Sequence, residues 1–147
     1  MFNLKTKIAT AAIAVAAFGA AAPAVAECSA PGANALANAP TMPKGVTDMV
    51  IGSIDLAGEI SVDGRQLRTR RLVVQPGGVV PLHSHKDRPA LIYTLSGAIT
   101  EYSSTCSVPI EHKAGDISRE ADGLSHYWIN NGKVTAVLLS SDVFHAN

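Results

Sequence analysis

The sequence predicts an all-β fold, a single antiparallel sandwich or barrel, and three features carry that expectation. From Val46 onward, short runs rich in Val, Ile, Leu, Thr and Tyr alternate with turn signals. Those signals fall at Gly58, Asp63-Gly64, Pro76-Gly77-Gly78, Gly97, Gly115, Asp122-Gly123 and Asn131-Gly132, the regular punctuation of packed short strands. No stretch beyond residue 26 carries a sustained apolar stripe at the helical period. No internal repeat is evident, so the strands belong to one unit rather than a stacked array. A small all-β chain of this kind manages its sheet edges by folding into a double-sheet jelly roll.

The first 26 residues stand apart from that unit. Lys5 and Lys7 form a positive start, Ile8 to Phe18 an apolar run, and Ala24-Val25-Ala26 a small-residue cleavage site. This is the order of a secretory signal peptide. The run is Ala-rich, flanked by Gly19 and Pro23, and short for a hydrocarbon core about 30 Å thick. The mature chain is therefore expected to begin at Glu27, periplasmic or secreted, with no stable membrane insertion after cleavage. Residues 27–45, rich in Ala, Pro, Asn and Gly, read as a linker or extended lead-in. Residues 46–147 form the barrel domain.

Within that domain strands are expected near 49–57, 66–75, 79–85, 90–96, 98–104, 109–112, 116–121, 125–130 and 134–142. Pro76-Gly77-Gly78 is expected to turn the chain sharply between two of them. Asn131-Gly132 is expected to close a tight hairpin, because both central positions of a type I′ turn need positive φ. The cluster Arg65, Arg68, Arg70 and Arg71 reads as alternating strand surface, with the alternative that some of it faces a ligand. With 12 basic and 12 acidic residues the formal charge is zero, so nothing draws the chain to nucleic acid. Exposed strand edges favour a homodimer. Cys28 and Cys106 are the two cysteines. In an exported chain they form a disulfide, or else Cys106 is a free thiol near the barrel mouth and Cys28 lies in a mobile tail.

The chemistry is concentrated in Pro81-Leu82-His83-Ser84-His85 and in His126. Side chains alternate along a strand, so His83 and His85 point to the same face. His126, from a distant strand, completes a facial trio of imidazoles around one metal ion. Imidazole suits Zn, Cu, Fe and Ni, so the trio alone does not choose the metal. By the same parity, position 90, Ile92 and Thr94 share the metal face of the next strand, and Trp128 and Asn130 share that of His126. The resulting pocket, with Arg88, Ile92, Thr94 and Trp128 as wall residues, has the mostly apolar character of a small-molecule site. Arg88 is either a solvated turn residue or a bidentate clamp for a substrate carboxylate. Tyr93 and Tyr127 have the wrong parity for the pocket, and His112 and His145 read as surface residues.

Gly78, His83, His85 and Gly97 fall at the spacing of the first cupin motif, and Gly115, Gly123, His126 and Asn130 at that of the second. Residues 66–142 thus resemble the cupin superfamily. The resemblance implies a cupin-type double-stranded β-helix, a jelly-roll barrel, holding one divalent transition metal on His83, His85 and His126. Iron is favoured, with manganese, nickel, copper and zinc as alternatives. One departure stands out: the family usually has a ligating Glu where this chain has Ala90. A divalent ion held by three neutral imidazoles keeps its full charge and is a stronger Lewis acid. Cupin-fold thiol dioxygenases use such a three-histidine iron, so the resemblance permits an oxygenase of a small organic substrate. Asp87, placed in a turn, and Glu101, placed at the far end, are poor replacements for the missing carboxylate. No side chain is identified as a general base, and catalytic residues are left unassigned. Two other readings stay open: a non-catalytic metal or small-ligand binding module, and a metal-free barrel whose histidines only pack.

Overall fold

The computed structural model describes residues 27–32, 36 and 38–145; the expected signal peptide lies outside them. The described chain runs β1 (Lys44–Asp55), α1 (Leu56–Ile60), β2 (Arg65–Ser84), β3 (Ala90–Ser96), β4 (Ala98–Ser103), β5 (Ile110–Lys113), β6 (Ile117–Glu120), β7 (Ser125–Ile129) and β8 (Ala136–His145). Every pairing is antiparallel. The strand order is β5-β4-β7-β2-β8-β3-β6, with β1 also paired to β2. This is the jelly-roll barrel, and the departures from the expected strands are local. The first strand stops at Asp55, whose carboxylate accepts the Ala57 N–H at 2.8 Å and so caps a single helical turn. Ser61, with φ 58°, ends that turn.

The larger departure is in β2. Two strands with a turn between them were expected; instead one strand of 20 residues runs through both. Its first half pairs with β8, from Arg65↔His145 to Val74↔Ala136. Its second half pairs with β7, from Val79↔Ile129 to Ser84↔Ser125. Pro76-Gly77-Gly78 bends the strand from one sheet into the other rather than reversing it. Gly77 takes φ 71° and donates its N–H to the Asn130 carbonyl at 2.8 Å. A Cβ on Gly78 would sit 2.7 Å from the Gln75 oxygen and 2.9 Å from the Gly45 oxygen, so only glycine fits there.

The second expected turn is also built differently. Neither Asn131 nor Gly132 has positive φ, so no type I′ turn forms. The buried side chain of Asn130 organises the connection instead. Its Nδ2 donates to the carbonyls of Val74 at 2.9 Å and Val134 at 2.8 Å, and its Oδ1 accepts the Gly132 N–H at 2.9 Å. A side chain that satisfies three backbone groups removes the need for a left-handed residue pair.

The lead-in is tied to the barrel. Cys28 and Cys106 are joined by a disulfide with a sequence separation of 78, which sets aside the free-thiol alternative. On the chain-entropy account, closing such a loop is worth roughly 4–5 kcal/mol. Backbone bonds reinforce it: Gly32 N–H to the Thr105 carbonyl and Ser107 N–H to the Ala30 carbonyl, both 3.0 Å.

The apolar core comprises Leu72, Val74, Ala90, Ile92, Ile99, Trp128, Ala136 and Leu138. Two of the arginines read as surface share its face. Period-2 alternation along β2 puts Arg68 and Arg70 on the same side as Leu72 and Val74, while Arg71 faces out and is exposed. Arg68 grips the buried Asp142 of β8 through Nε at 3.0 Å and Nη2 at 2.8 Å. Arg88 Nη1 reaches the same carboxylate at 2.8 Å, and Arg70 Nη2 lies 3.7 Å away. Burial alone would raise the Asp142 pKa, but bonds from Arg68 and Arg88 and the charge of Arg70 hold it below the usual carboxylate range.

Asp142→Asn should therefore cost about 3 kcal/mol at neutral pH, because guanidiniums lose a buried counter-charge. A depressed carboxylate stabilises the fold above its unfolded pKa of ~3.9 and stops doing so as pH falls through the folded value. Urea unfolding of both proteins between neutral and strongly acidic pH should show the gap closing as pH falls. A gap independent of pH would mean that the cost is packing alone.

Candidate metal centre

Strand register assembles the site. His83 of β2 lies directly opposite His126 of β7, and His85 follows just beyond the end of β2. On the other side of the barrel, four inward positions form one transverse row. Arg68 pairs with Asp142, Asp142 with Ala90, and Ala90 with Glu120 of β6. The row ends with Glu120 facing the histidines. Donor atoms of His83, His85, Glu120 and His126 all lie within 4.8 Å of one another. His83 Nε2 is 3.1 Å from Nε2 of both His85 and His126. Glu120 Oε2 is 2.8 Å from His85 Nε2 and 3.4 Å from His126 Nε2.

The outer nitrogens fix which way each ring faces. Nδ1–H of His83 donates to the Pro81 carbonyl and that of His85 to the Arg88 carbonyl, each at 2.8 Å. Nδ1–H of His126 donates to Glu101 Oε1 at 2.7 Å. With the protons outward, three Nε2 lone pairs converge, a contact that needs a positive charge at its centre. The carboxylates draw one. Burial disfavours the His126 cation, yet Glu101 and Glu120 override it and raise its pKa to about 9. Burial would raise Glu120, but its bonds to His126 and His85 pull it down to about 2. His83 is pushed down to about 4 by burial and by the charge of His126. A proton bridges two donors, whereas one divalent ion draws on all four. Oε1 of Glu120 is buried with no partner, a spare oxygen on a carboxylate already aimed at the imidazoles. These residues fit a metal ion.

Glu120 corrects the three-histidine reading. The carboxylate absent at Ala90 has a candidate replacement at the adjacent position of the neighbouring strand, and a divalent ion held by all four groups would carry formal charge +1 rather than +2. Parity places Ser118 and Glu120 on one face of their strand, but which strand lies beside position 90 is a matter of tertiary pairing. Glu101 is likewise misplaced in the sequence reading. It stands directly behind His126 rather than at the far end, and its Oε2 accepts from His112 Nε2 at 2.9 Å. His112 is therefore not a surface residue: it is 1% exposed and stacks on Trp128 with ring centroids 4.5 Å apart. Asp87 turns away to Arg65 and His145, and His145 is exposed as expected.

Beside the donors opens a cavity of about 250 Å³, whose wall includes Arg70, Leu72, Arg88, Ile92, Trp128 and Leu138. Arg88, Ile92 and Trp128 thus take the expected wall positions. Thr94 does not: it is buried, donates its N–H to the Asp116 carbonyl, and lies outside the cavity wall. Arg88 is not a freely solvated turn residue, since its Nη1 is bonded to Asp142.

Known proteins agree with this architecture. A family model described as Cupin domain matches residues 70–142, the span that holds all four donors. Germin-like protein 1 of Brassica napus is 35% identical over 82 residues, covering 54% of this chain and 40% of the relative. Germin-like protein subfamily 3 member 1 of Arabidopsis thaliana is 36% identical over 78 residues, covering 51% and 38%. The chain thus spans about two fifths of the length of these relatives. Among solved structures, a predicted oxalate decarboxylase from Thermotoga maritima superposes with TM-score 0.57 at 21% identity, covering 82% of this chain and 99% of that one. Oxalate oxidase in complex with the substrate analogue glycolate gives TM-score 0.53 at 21% identity, covering 69% and 52%. These two share the fold. From the motifs, the barrel and the family model together, the chain belongs to the cupin family.

Proposed function

We propose that this chain is an exported metal-binding cupin that holds one divalent transition ion on His83, His85, His126 and Glu120 and acts on a small organic molecule in the adjoining cavity. The observation that carries the reading is the convergence of three Nε2 atoms, each with its Nδ1–H tied outward, on a carboxylate with a spare buried oxygen. Three imidazoles and one carboxylate suit iron or manganese, with nickel, copper and zinc as alternatives. Such an ion supplies Lewis acidity toward an oxygen donor of the ligand and, for iron or manganese, redox chemistry. The protein contributes the rest. Glu120 lowers the net charge of the centre, Glu101 and the Pro81 and Arg88 carbonyls hold the rings, and the apolar wall excludes water.

The finer reading is an oxidoreductase. It draws support from the germin-like relatives and from a donor set able to hold a redox metal. A binding module with the same site and no turnover is the second reading, and oxygen consumption by the metal-loaded protein separates the two. Export is supported by the Cys28–Cys106 disulfide, which persists in oxidising compartments. A homodimer is supported by β1, which pairs on one side with β2 and exposes Met49, Val50, Ile51 and Ile54. A monomer mass by sedimentation at micromolar concentration would remove the dimer from the proposal.

Elemental analysis tests the centre directly. Purified protein should carry about one ion per chain, and His83→Ala, His85→Ala, His126→Ala or Glu120→Ala should each reduce this to near none. His145→Ala should change nothing. Because position 90 faces position 120 across the β3–β6 pair, Ala90→Glu combined with Glu120→Ala should recover metal that Glu120→Ala loses. Affinity should fall as pH drops, since each imidazole must be neutral to bind. Native protein free of metal, with melting unchanged by Fe(II), Mn(II), Ni(II), Cu(II) or Zn(II), would overturn the reading in favour of an empty barrel.

A further inference from the structure

We infer that the outer face of the sheet β1-β2-β8-β3-β6 is a docking surface for a second copy of this chain. The inference makes specific the homodimer proposed above, and rests on it, by assigning the contact to a sheet face rather than to a strand edge. The candidate metal centre and its cavity lie on the opposite face of the same strands and take no part in it.

Strand pattern gives the first sign. An antiparallel sheet with one wet face alternates apolar and polar residues, whereas a strand covered on both faces reads as a near-continuous apolar run. β3 is of the second kind. Its inward residues Ala90, Ile92 and Thr94 are buried, and its outward residues Leu91, Tyr93 and Leu95 are exposed. Register carries this pattern across the sheet. Met49 of β1, Arg71 of β2, Leu139 of β8, Tyr93 of β3 and Ile117 of β6 form one transverse row. Leu67 pairs with Val143 on one side of that row, and Val73 with Val137 on the other. The polar pair between them, Thr69 and Ser141, is satisfied internally, its hydroxyls 3.0 Å apart. The other sheet shows the contrast: Glu111 and Lys113 of β5 face outward, exposed, and pair with each other at 3.1 Å.

Extent and composition name the occupant. With strands about 4.8 Å apart and about 3.4 Å of rise per residue, the face from Leu67 to Val73 covers roughly 500 Å² in flat projection. That is as large a patch as a soluble monomer ordinarily leaves in water. Side-chain relief adds to it, toward the about 800 Å² that one partner of a standard interface buries. None of the outward positions in these rows is Lys, Asp or Glu. Charge is limited to Arg71 and to Arg119, whose Nη1 is held by Asp122 at 2.9 Å. Interface centres are depleted in Lys, Asp and Glu and enriched in aromatic residues, Met and Arg. A face without an acidic group gives a partner of opposite charge pattern little to read. A second sheet of the same twist matches it, since two such faces pack about 30° apart with side chains interdigitating across about 10 Å. β1 contributes Met49 and Ile54 to the face, but its free edge is a poor contact. Its register is interrupted between Lys44 and Val46 and between Val50 and Gly52, and such bulges blunt an edge against pairing.

Sedimentation equilibrium of the purified protein measures the contact. The wild type should be a dimer at micromolar concentration, and no weaker at about 1 M salt than at about 0.15 M, because an apolar contact loses nothing to screening. Leu91→Lys combined with Tyr93→Lys should raise the dissociation constant at least about a hundredfold, the scale of two central anchors lost. Both side chains are exposed, so the double variant should keep the wild-type circular dichroism. Ile51→Lys, which charges the β1 edge, should leave the dimer intact. A dimer that survives the double variant, or that Ile51→Lys dissociates, would overturn this inference and leave the homodimer reading standing. A monomeric wild type would overturn both, and its co-sedimentation with phosphatidylcholine vesicles would give the face to a lipid surface instead. Hydroxyl-radical footprinting needs no variant, so a misfolded double variant leaves the test intact. Leu91, Tyr93 and Leu95 should gain protection as wild-type protein is concentrated through its dimerisation range. Unchanged reactivity of all three in dimeric protein would place the contact elsewhere and end the inference.

Discussion

Strand β2 carries the arginines of one cavity wall and two histidines of the other, and it reaches both because its backbone packs closely at Gly78. A Cβ there would meet the oxygens of Gln75 and Gly45 and the side chain of Val74, all within 2.9 Å. That close approach lets one continuous strand leave β8 and join β7 without a loop. The arrangement of the candidate site depends on the crossing. Before it, Arg68 and Arg70 face Asp142; after it, His83 faces His126. A conventional turn at the same place would have ended the first strand and allowed the second to choose its own register. The bend instead couples them, so the arginines and His83 belong to one continuous strand.

The displacement of the candidate ligating carboxylate is consistent with the charge along a single row. Neighbouring strands lie about 4.8 Å apart, and the inward positions of that row are Arg68, Asp142, Ala90 and Glu120. A Glu at position 90 would stand between two acidic residues, three carboxylates in succession with three imidazoles on one side and three arginines on the other. Alanine removes the middle charge and leaves a methyl-sized gap beside the longer reach of Glu120. The donor set keeps its three nitrogens and one oxygen, but the oxygen approaches from β6 instead of β3. Asp142 is then free to serve the arginines. One position thereby separates two acidic functions, one for the metal and one for the cavity wall.

Much of this was legible in the residues, and the boundary is physical. Parity along a strand is local, so the common face of His83 and His85, and the inward placement of Ile92 and Trp128, could be read directly. Motif spacing added His126. Register between strands distant in sequence is not local. It decided that β6 lies beside β3 and so made Glu120 a candidate donor; it also placed Glu101 behind His126. The same limit hid the role of Arg68 and Arg70, because parity says that they share a face with Leu72 but not that Asp142 waits opposite. Turn chemistry misled for a different reason. Asn131-Gly132 carries a strong hairpin preference, yet the buried Asn130 side chain bonds Val74, Gly132 and Val134 and satisfies the backbone another way. Tertiary hydrogen bonds outweighed a local conformational preference.

Cys28 lies across a small cavity from Glu101, the carboxylate behind the candidate metal centre. This carboxylate is 3% exposed and divides its oxygens between His126 and His112. Its opposite side faces a second cavity, of about 220 Å³, whose wall includes Glu27 and Cys28 of the lead-in. The disulfide to Cys106 and the bonds of Ala30 and Gly32 hold that wall against the barrel. Burial of Glu101 and His126 matters to the bond between them, because a charge-assisted bond strengthens as the local dielectric falls. A stronger bond fixes the imidazole and makes its inward nitrogen a better donor. Residues that read from sequence as a linker or extended lead-in therefore form part of the wall beside Glu101, the carboxylate behind His126.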